Sequence, residues 1–146
     1  MMSPAHLKAV AIVGLAFLAF AAVPAAGGDA ASQAPTDLRL EYLSNPLGVD
    51  VRLPRFYWIP RPSARGEGQA AYQIMVSRNP SCAEGDLWDS GKIASSAFVH
   101  VAYNGKPLAS ASTYYWKVKS WDTTGAVSPW SPVARFDTGL FEASDW

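Results

Sequence analysis

The sequence predicts an all-β protein, built as an antiparallel β-sandwich of about seven strands. Short segments in which apolar and polar residues alternate recur from Leu38 onward, and this alternation is typical of strands with one buried face. Turn signals rich in Gly, Pro, Asn and Ser separate these segments. No amphipathic helical pattern of useful length follows the apolar N-terminal run. Together these three observations favour a sandwich over a helical or mixed fold.

Residues 1–25 have the layout of a secretory signal peptide. Lys8 lies in a short polar start, an apolar run extends from Ala9 to Val23, and small residues follow. A positive start, an apolar centre and a small-residue cleavage site define such signals. We therefore expect cleavage after Ala25 and export to the periplasm or the extracellular space, with no membrane contact afterwards. The alternative is an uncleaved anchor, but the run falls short of the about 20 apolar residues that span a bilayer.

The remaining chain divides into a linker and one domain. Residues 26–36 are small and polar and contain Pro35, which predicts a linker. The domain is expected over residues 37–141, a usual size for one core. Its predicted strands, in chain order, are LRLEYL (38–43), RFYWI (55–59), AYQIMVSR (71–78), the two ends of LWDSGKI (87–93), FVHVAY (98–103), YYWKVKSWD (114–122) and VARFDTG (133–139).

Strand parity assigns the buried face of each segment. In the first strand the alternation points Leu38, Leu40 and Tyr42 inward. In the second it points Phe56 and Trp58 inward, and two following prolines, Pro60 and Pro62, are expected to end the strand. Later inward residues are Tyr72, Ile74 and Val76 on the third strand, and Tyr114, Trp116 and Val118 on the most regular strand.

The stretch DLWDSGKI contains two carboxylates, Asp86 and Asp89, which invites comparison with a glycosidase acid/base pair. Both aspartates lie in a turn-forming stretch, where Asp side chains commonly bond local backbone. We therefore expect Asp89, Ser90 and Gly91 to turn the chain between two strands, with Trp88 packing. A positive φ at Gly91 would make a β-branched residue unfavourable there.

The spacing of Leu108 and Tyr114 sharpens the fold assignment. Tyr114 opens the most regular strand six residues after Leu108, as in the corner of immunoglobulin and fibronectin type III sandwiches where a tyrosine hydroxyl bonds upstream backbone. An ordinary core tyrosine is the alternative. The corner favours a sandwich of that kind.

Composition excludes several functions. With Lys8 removed, 11 basic and 12 acidic residues remain from totals of 12 and 12, so nucleic-acid binding is disfavoured. Cys82 is the only cysteine, so no internal disulfide can form. His100 and Cys82 make neither a zinc site nor a credible catalytic dyad. The sequence thus predicts no catalytic residue, no metal and no cofactor.

Sugar binding stays open, with Tyr115 and Trp121, beside two lysines on one strand face, as the candidate docking or sugar-stacking surface.

Five segments together resemble one known family. The segments LRLEYLSNPLGVDVRLPRFYW, AYQIMV, GDLWDSGKI, YYWKVKSWDTTG and FDTGLFEASDW occur in an order that resembles the N-terminal, fibronectin type III-like module of bacterial α-L-rhamnosidases. The similarity covers nearly all of the chain from Leu38 to Trp146. GDLWDSGKI and YYWKVKSWD are its more specific parts.

The resemblance implies a non-catalytic module of a glycoside hydrolase that releases terminal α-L-rhamnose. In that family the module precedes further domains, including the barrel that carries the catalytic acids, and none of the barrel motifs is present in this sequence. The resemblance therefore implies a truncated member, inactive by itself, in which residues 142–146 begin a connection to a missing domain. Its implied partners are those downstream domains and, in the alternative, rhamnose-containing glycans. A free-standing carbohydrate-binding or extracellular protein-interaction module remains the alternative function.

Overall fold

The computed structural model describes residues 31–146, which form two antiparallel sheets that enclose a common core. Residues 1–30, which contain the predicted signal peptide, lie outside the described residues. Between residues 31 and 146 no helix has both the length and the apolar character needed to cross a membrane. The elements are β1 (Gln33–Leu40), β2 (Arg55–Arg61), β3 (Gln69–Ser77), β4 (Trp88–Asp89), β5 (Ile93–Ala94), β6 (Val101–Ala102), β7 (Thr113–Asp122), β8 (Ala134–Asp137) and a 3₁₀ turn (Ala143–Asp145).

The two sheets confirm the predicted all-β sandwich. One sheet has the order β1-β2-β6, and the other has the order β4-β3-β7-β8, with β5 also paired to β3. Aromatic side chains fill the space between them: the rings of Phe56 on β2 and Trp116 on β7 are 4.6 Å apart, centroid to centroid. Strand β7 alternates buried and half-buried residues along its whole length, as predicted. The predicted inward residues of β3, namely Tyr72, Ile74 and Val76, are also buried.

The predicted tyrosine corner is present. Tyr114 is buried at the start of β7, and its hydroxyl accepts a hydrogen bond of 2.8 Å from the backbone N–H of Ala109. Leu108, the residue before Ala109, is buried in the core. The corner therefore fixes the chain that leads into β7.

The first strand differs from the prediction at both ends. It begins at Gln33, inside the predicted linker, and contains the buried Pro35, which an edge strand tolerates because its outer N–H groups need no partner. It ends at Leu40, where a two-residue turn with φ of 47° at Glu41 and 69° at Tyr42 reverses the chain. The expectation that Tyr42 faces the core is wrong, because this turn places it on the surface with 53% of its area exposed.

Strand β2 continues past the expected stop and ends at Arg61. The N–H of Trp58 donates to the carbonyl of Phe98, and the backbone nitrogen of residue 60 points to the same side of the strand. On that side β6 pairs only with Arg55 and Phe56, so no strand lies where an N–H of residue 60 would donate. A proline is therefore accommodated inside this strand.

Two later segments are also more irregular than expected. Strands β4 and β5 both pair with β3, so Asp89, Ser90 and Gly91 interrupt one edge and do not reverse the chain as predicted. Gly91 has a φ of 61°, the positive value at which a β-branched residue is unfavourable. The predicted strand FVHVAY shrinks to Val101–Ala102, because His100 adopts a φ of 57° and breaks the extended chain.

Candidate functional site

Tyrosine, tryptophan and lysine side chains cover the outward face of β7. The ammonium of Lys119 lies 5.2 Å from the ring centroid of Trp121 and 4.7 Å from that of Trp130. The ammonium of Lys117 lies 4.8 Å from the Trp130 centroid, and that of Lys92 lies 4.8 Å from the Trp121 centroid. The lysines and tryptophans alternate in these cation–π contacts. We call the surface that these five residues form the Trp–Lys face: Lys92, Lys117, Lys119, Trp121 and Trp130.

Two serines bring Trp130 to this face. Ser128 and Ser131 each donate a backbone hydrogen bond of 2.8 Å to β7, to the carbonyls of Ser120 and Val118 respectively. Their hydroxyls accept hydrogen bonds of 3.0 Å from the N–H groups of the same two β7 residues. The serines thus satisfy the edge of β7 beyond β8 with both backbone and side-chain groups, and Trp130 between them is held against the lysines. The sequence reasoning missed Trp130 and Lys92; the three-residue repeat in SPWSP was the available signal.

The structure separates the two predicted surface residues. Tyr115 and Trp121 share the outward face of β7, but six residues of extended chain place them about 20 Å apart. Only Trp121 belongs to the Trp–Lys face. Both side chains are half-buried, and the Trp121 ring already carries two ammonium groups. A sugar would therefore compete with Lys92 and Lys119 for this ring.

The two aspartates of DLWDSGKI stabilise local structure. Asp86 accepts a hydrogen bond of 3.1 Å from the N–H of Arg78, and the Ser77 hydroxyl lowers the pKa of the Asp86 carboxyl. Asp89 accepts from the N–H of Gly91 at 2.9 Å and from Gln73 Nε2 at 2.7 Å. The general acid of a glycosidase needs a raised pKa. The shift at Asp86 has the opposite direction.

One hollow near these residues does contain two acids. Its volume is about 460 Å³, and it includes Asp86 and Glu84 but not Asp89. The sequence reasoning did not foresee that Glu84 lies beside Asp86. The other lining residues are small or polar, and no aromatic side chain is among them: Ser77, Asn79, Ser81 and Ala83. The hollow therefore lacks the aromatic wall on which a sugar ring would stack.

The single cysteine and the single histidine of the domain have different environments. Cys82 is buried, burial raises its pKa, and its thiol lies 3.7 Å from the Met75 carbonyl oxygen. His100 is exposed, with its Nε2 3.3 Å from the hydroxyl of Tyr42. In the part of the chain that the structure describes, no three His, Cys, Asp or Glu side chains cluster in a way that could hold a metal ion.

Comparisons with known proteins point to one group. Residues 35–142 match a family described as Rha78A-like, N-terminal immunoglobulin domain. An α-L-rhamnosidase of Streptomyces avermitilis is 40% identical over 112 residues, which cover 76% of this chain and 11% of that protein. An α-L-rhamnosidase of an Alteromonas species is 43% identical over 116 residues, with 77% and 13% covered.

Solved structures agree with these sequence matches. The α-L-rhamnosidase from Dictyoglumus thermophilum superposes with a TM-score of 0.74 at 42% identity, over 77% of this chain and 13% of that chain. The α-L-rhamnosidase of Streptomyces avermitilis, complexed with L-rhamnose, gives a TM-score of 0.74 at 39% identity over 77% and 11%. The chain thus spans only 11–13% of the length of these relatives.

Proposed function

The chain belongs to the Rha78A-like family through its N-terminal immunoglobulin domain, and from this premise we propose that it acts as a non-catalytic accessory module of a secreted bacterial α-L-rhamnosidase. In this role the domain braces or positions the remainder of such an enzyme, and other domains hydrolyse the terminal α-L-rhamnose. The observation that carries the proposal is the match of residues 35–142 to a domain that forms 11–13% of rhamnosidase relatives.

The chemistry of the acids supports a role without catalysis. Asp86 and Asp89 bond to backbone N–H groups of their own loops, and the pKa of Asp86 is lowered, where a general acid requires the reverse. We therefore expect the purified chain to show no hydrolysis of an aryl α-L-rhamnoside above the buffer rate. Turnover that Asp86→Ala, Asp89→Ala or Glu84→Ala abolishes would contradict the proposal.

The bracing role has its own experiment. The Alteromonas rhamnosidase is prepared with residues 35–142 of this chain in place of its own matched segment, and as a deletion that lacks the segment. We expect the chimera to unfold at a higher temperature than the deletion protein in differential scanning calorimetry, because an accessory domain that packs on its neighbours stabilises them. Equal unfolding temperatures of the neighbouring domains in the two proteins would exclude bracing.

The Trp–Lys face and Tyr115 supply the second candidate function, which is binding of rhamnose-containing glycans. Its support is the part of the Trp121 surface that remains accessible beside the lysines. If the chain binds a rhamnosylated polysaccharide, Trp121→Ala should weaken binding at least tenfold. Tyr115→Ala is a separate test, because Tyr115 is too distant to share a sugar ring with Trp121. If both variants leave glycan binding unchanged but weaken contact with the rest of the enzyme, the surface is a docking surface.

Export is part of the same proposal and rests on residues 1–25. Expression of the full chain in a bacterium should yield a periplasmic or secreted product that begins at Ala26. N-terminal sequencing of the product checks this. Recovery of only the uncleaved chain in the membrane fraction would favour the anchor.

A further inference from the structure

The loop between the first two strands exposes large apolar side chains. In this loop, which we call the Leu43–Leu53 loop, Leu47 is 79% exposed and Leu53 is 61% exposed, and Leu43 and Val51 are also exposed. Single exposed apolar residues are ordinary, but several in one short segment are typical of an interaction surface. The core of the sandwich does not need them, since none of these four side chains belongs to it.

This loop is fixed to the last strand of the domain. Val49 is buried, its N–H donates to the Asp137 carbonyl at 2.9 Å, and its carbonyl accepts from the N–H of Gly139 at 2.8 Å. The carbonyl of Pro46 accepts a further hydrogen bond of 2.9 Å from the N–H of Asp137. Leu47 and Val51 therefore project from a scaffold held by backbone hydrogen bonds.

Arg52 extends this attachment to the residues after β8. Its guanidinium carbon lies 5.1 Å from the ring centroid of Phe141, and the same group pairs with the carboxylate of Glu142. It also lies at 3.5 Å from the Phe141 carbonyl oxygen. The family match ends at residue 142, so the loop contacts the chain where it leaves the domain.

We propose that the Leu43–Leu53 loop is the surface on which the downstream polypeptide of a rhamnosidase packs, through an apolar surface of that polypeptide, and that Arg52 sets the direction in which the chain leaves. The inference rests on the proposed function and identifies its contact surface. In the relatives this domain is N-terminal and spans 11–13% of the protein, so most of each relative follows the position of residue 142. A domain joined through a segment that the loop holds lies within reach of the loop.

The chemistry of the loop selects an apolar occupant. Its only charged residues are Asp50 and Arg52, and Arg52 is already paired with Glu142. Beside it, a groove of about 300 Å³ has mainly apolar walls, formed by Leu53, Tyr103, Gly105, Pro107 and Leu108 with the Arg52 side chain. A groove of this size and chemistry has room for one large apolar side chain of a neighbouring domain, as anchor side chains fill pockets at protein interfaces.

The test uses the chimera described above, in which residues 35–142 replace the matched segment of the Alteromonas enzyme. Leu47→Asp with Leu53→Asp should lower the temperature at which the chimera's module unfolds by about 5 °C or more, or split one transition into two. The matched control is Val127→Asp with Phe98→Asp, two exposed residues near the Asp122 end of β7, whereas the loop is bonded to Asp137 at the Thr113 end. This control should leave the transition unchanged.

Four measurements make the result decisive. In the isolated chain, the free energy of unfolding of the leucine variant should lie within about 0.5 kcal/mol of the original value, because substitutions at exposed sites seldom change stability. If the unmodified chimera brings no stabilisation over the deletion protein, the proposed function fails. If it stabilises but the leucine variant is indistinguishable from the Val127→Asp, Phe98→Asp control, the function stands and this inference is overturned. A dimer of the isolated chain that the leucine variant dissociates would also overturn it, since a second copy would then be the occupant.

Discussion

Asp122, at the end of β7, shows how one side chain joins two loops of the sandwich. It is buried, and its carboxylate accepts hydrogen bonds from the backbone N–H groups of Ser63, Thr124 and Ala126 and from the hydroxyls of Ser63 and Thr124. Burial by itself would raise the pKa of Asp122, but these donors outweigh it and lower the pKa well below the ordinary value. The charged form is therefore the one that the fold requires.

Asp122→Ala should lower the free energy of unfolding by about 3 kcal/mol at pH 7, because the buried donors lose a charged acceptor. The folded-state pKa is depressed, so this contribution is complete above the ordinary pKa of about 4 and is lost as pH falls below it. In urea unfolding at pH 7, 5 and 3, the free energy of unfolding of Asp122→Asn should fall less on acidification than that of the original chain. The exposed Asp50→Asn provides the control. An unchanged acid dependence in Asp122→Asn would refute the assignment.

Gly91 gives a second prediction at the residue scale. Its φ of 61° is strained for any residue with a Cβ, although a Cβ would meet no atom within 4 Å. Gly91→Val should therefore destabilise the chain by about 1–2 kcal/mol through the backbone alone. Gly91→Asn should recover much of that loss, since Asn tolerates the left-handed region. Denaturant unfolding of the three proteins measures this, and equal losses for Val and Asn would point to a steric cause.

Among the elements, the segment that follows β7 replaces a regular strand. Ser128 and Ser131 bond to β7 with hydroxyl as well as backbone groups, so a proline-rich segment covers an edge that would otherwise stay open. Because this segment closes the edge, Trp121 and Trp130 are held between lysine side chains. The arrangement of the Trp–Lys face therefore depends on the segment.

Ser131→Ala should cost about 1–3 kcal/mol, because the N–H of the buried Val118 loses its acceptor. We also expect the tryptophan emission to shift, since Trp130 is released from Lys117 and Lys119. Urea titration followed by fluorescence reports both quantities. Ser96→Ala, at an exposed position, is the control and should behave as the original chain. Full stability in Ser131→Ala would mean that the backbone bonds suffice.

What the sequence could predict depends on how each element uses its residues. Strand β7 was predictable because every second side chain is buried. Strand β1 was not, since it buries Pro35 at an edge and turns through two left-handed residues that no propensity favours. Trp130 was missed because its segment bonds through hydroxyls and has no alternation. The exposure of Leu47 was equally hidden, because a Pro- and Gly-containing segment predicts a loop but not its outward side chains.

For the molecule as a whole, one core joins both sheets, and with a single cysteine no internal disulfide supports it. Phe56 lies at its centre, with its ring 4.6 Å from Trp116 and 6.0 Å from Trp88. Domains of this size have a margin of stability of about 5–15 kcal/mol. Burial of these rings therefore accounts for a large part of that margin.

Phe56→Ala should lower the free energy of unfolding by about 3–5 kcal/mol, through lost burial and the cavity left behind. Phe98→Ala, an aromatic residue outside the core, should cost less than about 1 kcal/mol. Thermal unfolding by circular dichroism compares the two. Similar losses would mean that the sheets are not held by one shared core.

The burial of Cys82 has a practical consequence. Its sulfur contacts the backbone of two neighbouring strands, and the chain has no other thiol. A maleimide can therefore label the folded protein only when local unfolding exposes Cys82. The labelling rate, followed by mass spectrometry, measures how often this opening occurs in the natural chain, without any engineered probe.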